Sequence, residues 1–136
     1  MATHYVGILD GEGDVWGVRI PDVPGCHGGG ETPEAALADA VSALREVASH
    51  YAVSETPLAA ARSAKDIIAD PETGYSASSG ESLVMVPLLL DRGRPVRANI
   101  SLDAGLLETI DAEAKRRGLT RSAFLASAAI DKITQA

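Results

Sequence analysis

The chain opens with apolar and polar residues that change places in short runs. Residues 3–9, centred on His4-Tyr5-Val6-Gly7-Ile8, read as a strand that runs into the turn Asp10-Gly11-Glu12-Gly13-Asp14. Val15-Trp16-Gly17-Val18-Arg19-Ile20 then reads as the second strand of a hairpin. In Pro21-Asp22-Val23-Pro24-Gly25-Cys26 the two prolines block regular pairing and Gly25 permits a sharp bend, so residues 26–29 are left as a short third strand. Thr32-Pro33-Glu34 starts a helix with a capping hydroxyl, a proline at the first position and an acid at the positive end of the dipole. Leu37, Ala40, Val41, Leu44 and Val47 follow at helical spacing and form one apolar stripe. Thr56-Pro57 starts a second, weaker helix through about Ile68, residues 70–81 form a loop, and Ser82–Leu90 is a buried strand that returns to the first sheet.

A different pattern follows the boundary at Asp91-Arg92-Gly93-Arg94-Pro95. Val96 to Leu102 alternates, with Ala98, Ile100 and Leu102 on one face and Arg97, Asn99 and Ser101 on the other, as period two requires of a strand. Asp103 caps a helix whose stripe is Leu106, Leu107, Ile110 and Ala114, closing at Lys115-Arg116-Arg117 and Gly118. Thr120 caps a last helix that carries Phe124, Leu125, Ala128, Ala129 and Ile133. One short strand and two helices cannot close a core, and a lone strand has two open edges. Pairing with the same strand of another copy removes one edge and buries both helix pairs, so a homodimer is part of this module's expected fold. Two domains follow, residues 1–90 and 91–136.

Composition narrows the class. Apolar residues make up 46% of the 136, too many for a disordered chain. The N-terminus lacks a basic segment followed by an apolar run, and the longest apolar stretch, Leu83–Leu90, falls far short of the roughly 20 residues a membrane helix needs. A single cysteine, Cys26, excludes an internal disulfide framework, and the expected setting is a reducing cytoplasm with no membrane partner. The formal net charge of −7 argues against nucleic acid until the chain is split. Residues 1–90 hold 4 Lys+Arg against 13 Asp+Glu, whereas residues 91–136 hold 8 against 6. An acidic body would attract a basic partner, and the tail can approach phosphate.

The strand-helix-helix order of residues 94–136 resembles the ribbon-helix-helix family of DNA-binding proteins. The resemblance implies a two-stranded ribbon in the major groove of operator double-stranded DNA. The base readers would be Arg97, Asn99 and Ser101, and their chemistry suits base recognition, since Arg pairs bidentately with guanine, Asn with adenine, and Ser with either. Thr120, Arg121 and Ser122, at the start of the last helix, would offer backbone N–H groups and a guanidinium to a phosphate.

The acidic body carries Trp16-x-Val18-x-Ile20-Pro21-Asp22-Val23-Pro24-Gly25-Cys26, then Gly30-Glu31-Thr32-Pro33-Glu34-Ala35-Ala36. This string resembles the HicB-type antitoxins, over residues 5–50 for the motif and over most of the chain with the C-terminal module. The resemblance implies an α+β protein: an N-terminal partial ribonuclease-H-like antiparallel sheet with helices, plus the ribbon-helix-helix dimerisation module. It further implies a HicA-type toxin partner, a small basic ribonuclease that cleaves messenger RNA, whose active site the body occludes, and repression of the operon by the tail. An acidic body suits a basic toxin. The insertion at residues 51–81 departs from the matched motif, and no toxin-contacting residue carries over.

Other chemistries are weaker in this sequence. Asp10, Glu12 and Asp14 would suit a Mg²⁺ nuclease, but acids flanking Gly11 and Gly13 describe a solvated hairpin turn. Gly11-x-Gly13 meets Trp16 where a dinucleotide fingerprint has its third glycine. Cys26-His27, with His4 and His50, matches no familiar metal spacing. The expectation is therefore a non-enzyme with no catalytic residue, metal or cofactor. The alternative is a ligand- or metal-responsive ribbon-helix-helix repressor, with the apolar Leu83–Leu90 strand lining a pocket.

Overall fold

The hairpin strands β1 (His4–Glu12) and β2 (Val15–Arg19), the short strand after the Pro-Gly bend, β3 (His27–Gly30), and the return strand β4 (Ser82–Pro87) form a four-stranded antiparallel sheet in the order β3-β2-β1-β4. A computed structural model describes residues 3–91 and 94–135. Arg92 and Gly93, at the expected boundary, and Ala136 lie outside the described residues. The described residues form two compact units, 3–91 and 94–135.

All four strands belong to the first unit. The expected turn at 10–14 is shorter than its composition suggests. β1 continues through Glu12, which pairs with Val15, so only Gly13 and Asp14 form the loop. Gly13 sits at φ 61, the left-handed conformation such a two-residue turn demands. Helix α1 (Pro33–Val53) begins where expected, with the Thr32 hydroxyl accepting from the Ala35 N–H at 3.0 Å. It buries Leu37, Ala40, Val41 and Leu44 against Tyr5, Val18, Ile20, Val23, Cys26 and Val86. Two strand glycines allow this helix to lie close to the sheet: a Cβ on Gly28 would stand 2.2 Å from the Ala40 nitrogen, and one on Gly30 2.6 Å from the Ala35 Cβ.

The helix expected from Thr56 does not form. Residues 56–63 run without regular structure, and α2 is the short segment Ala64–Ala69, capped by Ser63. Tertiary contacts take the backbone instead. The buried Tyr5 hydroxyl donates to the Ala59 carbonyl, the Arg62 N–H donates to Asp22 at 2.7 Å, and Leu58 and Ala61 pack onto the core under α1. Ile67 of α2 is fully buried over Val6 and Ile8 on the opposite face of the sheet, beside Ala64, Tyr75 and Leu83. Residues 70–81 contain two single 3₁₀ turns, Pro71–Thr73 and Ala77–Ser79, closed by Gly74 and Gly80 at φ 70 and 84. β4 stops at Pro87 rather than Leu90, and runs antiparallel to β1 from Leu9↔Ser82 to His4↔Pro87.

The second unit contains α3 (Ala104–Arg116) and α4 (Arg121–Thr134). Asp103 and Thr120 cap them, accepting from the Leu106 and Ala123 N–H groups at 3.0 and 3.1 Å. Gly118 takes φ 70 between the helices. The strand expected at Val96–Leu102 is absent from the single chain: none of the described residues pairs with it. A strand requires a neighbouring edge, and this unit supplies none. Of the described helices, none is long and apolar enough to cross a membrane.

Candidate functional site

Arg97, Asn99 and Ser101 lie on the unpaired segment before α3, all exposed, as are Ala98, Ile100 and Leu102 on the alternate positions. The segment is thus available to a partner strand along its length. The two helices meet chiefly through Ile110 and Ala114, the residues buried in this unit, with Leu107, Phe124, Leu125 and Ile130 half-buried. Ile100, Leu106 and Ile133 remain 63%, 50% and 48% exposed, and α4 has no buried residue.

Thr120, Arg121 and Ser122 stand together at the start of α4, but their polar groups are not equally free. The Thr120 hydroxyl is used as the helix cap. The Arg121 guanidinium is held by Asp111 through two hydrogen bonds of 2.8 Å. That pairing keeps the Asp111 carboxyl below the ordinary carboxylate range and raises the Arg121 guanidinium. At the end of α3, Glu113 binds Arg116 and Arg117 together, and these hydrogen bonds pull its carboxyl from 4.5 to about 2. Two of the module's cations are thereby partly neutralised by their own helix.

In the acidic unit the motif residue Asp22 proves structural. Its carboxylate, almost buried, accepts from the Arg62 N–H and Nε at 2.7 Å each, while Arg62 Nη1 reaches Asp70 at 2.8 Å and holds that carboxyl below its ordinary range. Sequence reading missed this link because its partners stand 40 positions apart and no local pattern marks them. Arg19 binds Glu81 at 2.8 Å, and Arg45 binds Asp91 at 3.3 Å. Every arginine of residues 3–91 is thus paired within the unit.

Asp10, Glu12 and Asp14 sit on the exposed hairpin, and among the described residues no three His, Cys, Asp or Glu side chains gather as a metal site. Cys26 is buried, which pushes its thiol up. In the Leu83–Leu90 stretch, Leu83 packs with Ile67, and Val84, Leu88 and Leu89 pack against the core under α1, whereas Met85 and Leu90 are exposed. An open groove of about 540 Å³ lies elsewhere, between the Val23–His27 turn and the C-terminal half of α1, where Glu46, His50 and Tyr51 line it.

A family model described as the HicB-like antitoxin of bacterial toxin-antitoxin systems matches residues 4–129. The chain belongs to the HicB-like antitoxin family. Among solved structures, this HicB-like chain is similar to the Burkholderia pseudomallei antitoxin HicB at 29% identity, with 98% of this chain and 97% of that one covered and a TM-score of 0.52. Antitoxin HicB3 shares the fold at 24% identity, covering 96% and 97% of the two chains with a TM-score of 0.53. The isolated N-terminal domain of the Burkholderia pseudomallei antitoxin HicB does so at 22% identity over 65% of this chain and all of that domain, with a TM-score of 0.52. No curated protein matches the chain significantly.

Proposed function

We propose that this HicB-like antitoxin binds and occludes a HicA-type, messenger-RNA-cleaving toxin through residues 1–90, and represses its own operon through residues 91–136. The observation that carries the DNA-binding half is the exposed, alternating Val96–Leu102 segment beside a helix pair whose apolar face is largely uncovered. Two copies would pair these segments into a ribbon, fold the apolar faces together, and present Arg97, Asn99 and Ser101 outward to base edges. The N-terminus of α4, with Thr120, Arg121 and Ser122, would rest on phosphate. For the toxin-binding half, the support is family membership together with the acidic unit, whose arginines are already neutralised internally and leave a negative field for a basic protein.

The test uses the full chain with two probes. DNA from upstream of its own gene, titrated at several salt concentrations, should bind a dimer with sequence preference and a steep salt slope. A purified HicA-type toxin should lose ribonuclease activity at a one-to-one ratio with the chain. Undiminished ribonuclease activity at excess chain would overturn the antitoxin half, and equal affinity for scrambled DNA would overturn the repressor half.

A further inference from the structure

The sheet has two faces with different fates. One is covered by α1, with Leu58 and Ala61 packed against the same core. On the other, α2 and its flanking turns cover the β1–β4 half, where Val6 and Ile8 are buried. Arg19, bonded to Glu81 and to the Thr73 carbonyl, marks the limit of that cover. Beyond it, β2 and β3 present an open floor. Strand register places Asp10, Gly17 and Gly29 side by side across three strands, with Glu12 and Val15 paired on the same face two positions along. Val15 is 72% exposed.

Gly17 and Gly29 have no reason within this unit to be glycine. Neither has a positive φ. A Cβ on Gly17 would have its nearest neighbours at 3.7 and 3.8 Å, and one on Gly29 at 3.5 Å, all ordinary contacts. Their neighbours differ sharply: Gly28 and Gly30, facing α1, would collide with helix backbone. Glycine costs a strand stability when nothing packs in its place. A bare floor that internal packing does not require is one on which an external surface can lie against the backbone.

We infer that this glycine floor is the docking surface for the toxin, and that it receives a flat, cationic face of a basic protein. This rests on the antitoxin reading above. Charge selects the occupant. Asp10, Glu12 and Glu31 border or adjoin the floor with no ion-pair partner among the described residues, while the nearest arginine, Arg19, is already held by Glu81. The free end of β3 is closed to strand addition at Gly29, whose N–H donates to Asp39 at 2.9 Å. The partner therefore lies on the face at this point rather than extending the sheet.

The test is titration of the full chain against a purified HicA-type toxin, with Gly17→Val, Gly29→Thr and the charge reversal Asp10→Lys/Glu12→Lys. The glycine variants should keep the parent urea midpoint and weaken binding about tenfold or more, mainly through faster dissociation. The reversal, which alters no packing, should slow association about tenfold at low salt, with the deficit shrinking as salt rises. Parent-like binding by all three variants would overturn the surface and leave the antitoxin reading intact. Failure of the parent itself to bind would overturn both. Loss of a higher oligomer by Gly17→Val in light scattering, with toxin binding unchanged, would assign the floor to a second copy of the chain and overturn the proposal.

Discussion

Arg121, the first residue of α4, closes on Asp111 of α3 through a two-pronged ion pair with both hydrogen bonds at 2.8 Å. The pair ties the two helices together across the Gly118 turn. It also occupies the guanidinium proposed for a phosphate, so on that proposal a phosphate would have to compete with Asp111 or share the arginine with it.

Asp111→Asn should therefore tighten operator binding and steepen its logarithmic salt dependence by about one unit, as one more phosphate contact would. Combining it with Arg121→Ala should remove that gain. Anisotropy titrations across salt concentrations measure both, and identical slopes in all three proteins would exclude Arg121 from phosphate binding.

Asn99→Ala should cost about 1–3 kcal/mol at one operator base pair and leave the other positions unchanged. Affinities for a set of singly substituted operators test this. A uniform loss at every position would make Asn99 a backbone contact instead of a reader.

The adjacent glycines of β3 should respond in opposite ways to a methyl group. Gly28→Ala drives its Cβ to 2.2 Å from the backbone nitrogen of Ala40 and should destabilise the protein by about 3 kcal/mol. Gly29→Ala meets only an ordinary contact at 3.5 Å and should stay within about 0.5 kcal/mol of the parent. Urea unfolding of the two variants decides the matter. Equal midpoints would mean that α1 does not press closely on β3.

Glu113 sets an acid limit on the α3 terminus. Its folded carboxyl lies at about 2, below the ordinary 4.5, because Arg116 and Arg117 both donate to it. A lowered carboxyl stabilises the folded form fully above about 4.5, and that contribution disappears as pH falls from there towards about 2. The carboxyl resonance of Glu113 followed by NMR should show its midpoint well below that of a free glutamate. Glu113→Gln should flatten the acid dependence of α3 unfolding over this window, and an unchanged acid limb would show that the pairing contributes nothing.

What the sequence determined by itself was local. Periodicity, turn residues and one apolar run located four strands and marked the exposed 96–102 segment. Thr32, Asp103 and Thr120 marked three helix starts that their hydroxyl or carboxylate oxygens do cap. The Pro-Asp-Val-Pro-Gly-Cys string pointed to the family to which the chain belongs. Each of these signals acts over a few residues, through backbone periodicity or a side chain that reaches a nearby N–H. The tertiary structure decided the rest. Thr56-Pro57 looked like a helix start, yet Tyr5 and Asp22, distant in sequence, donate to the Ala59 carbonyl and accept from the Arg62 N–H respectively, and residues 56–63 form no helix. The four glycines of β2 and β3 are identical as letters. Only the position of α1 separates Gly28 and Gly30, which the helix excludes from bearing a side chain, from Gly17 and Gly29, where a Cβ would meet only ordinary contacts. Pairing between distant residues and the choice of which sheet face is covered depend on three-dimensional proximity, and no short-range pattern encodes that.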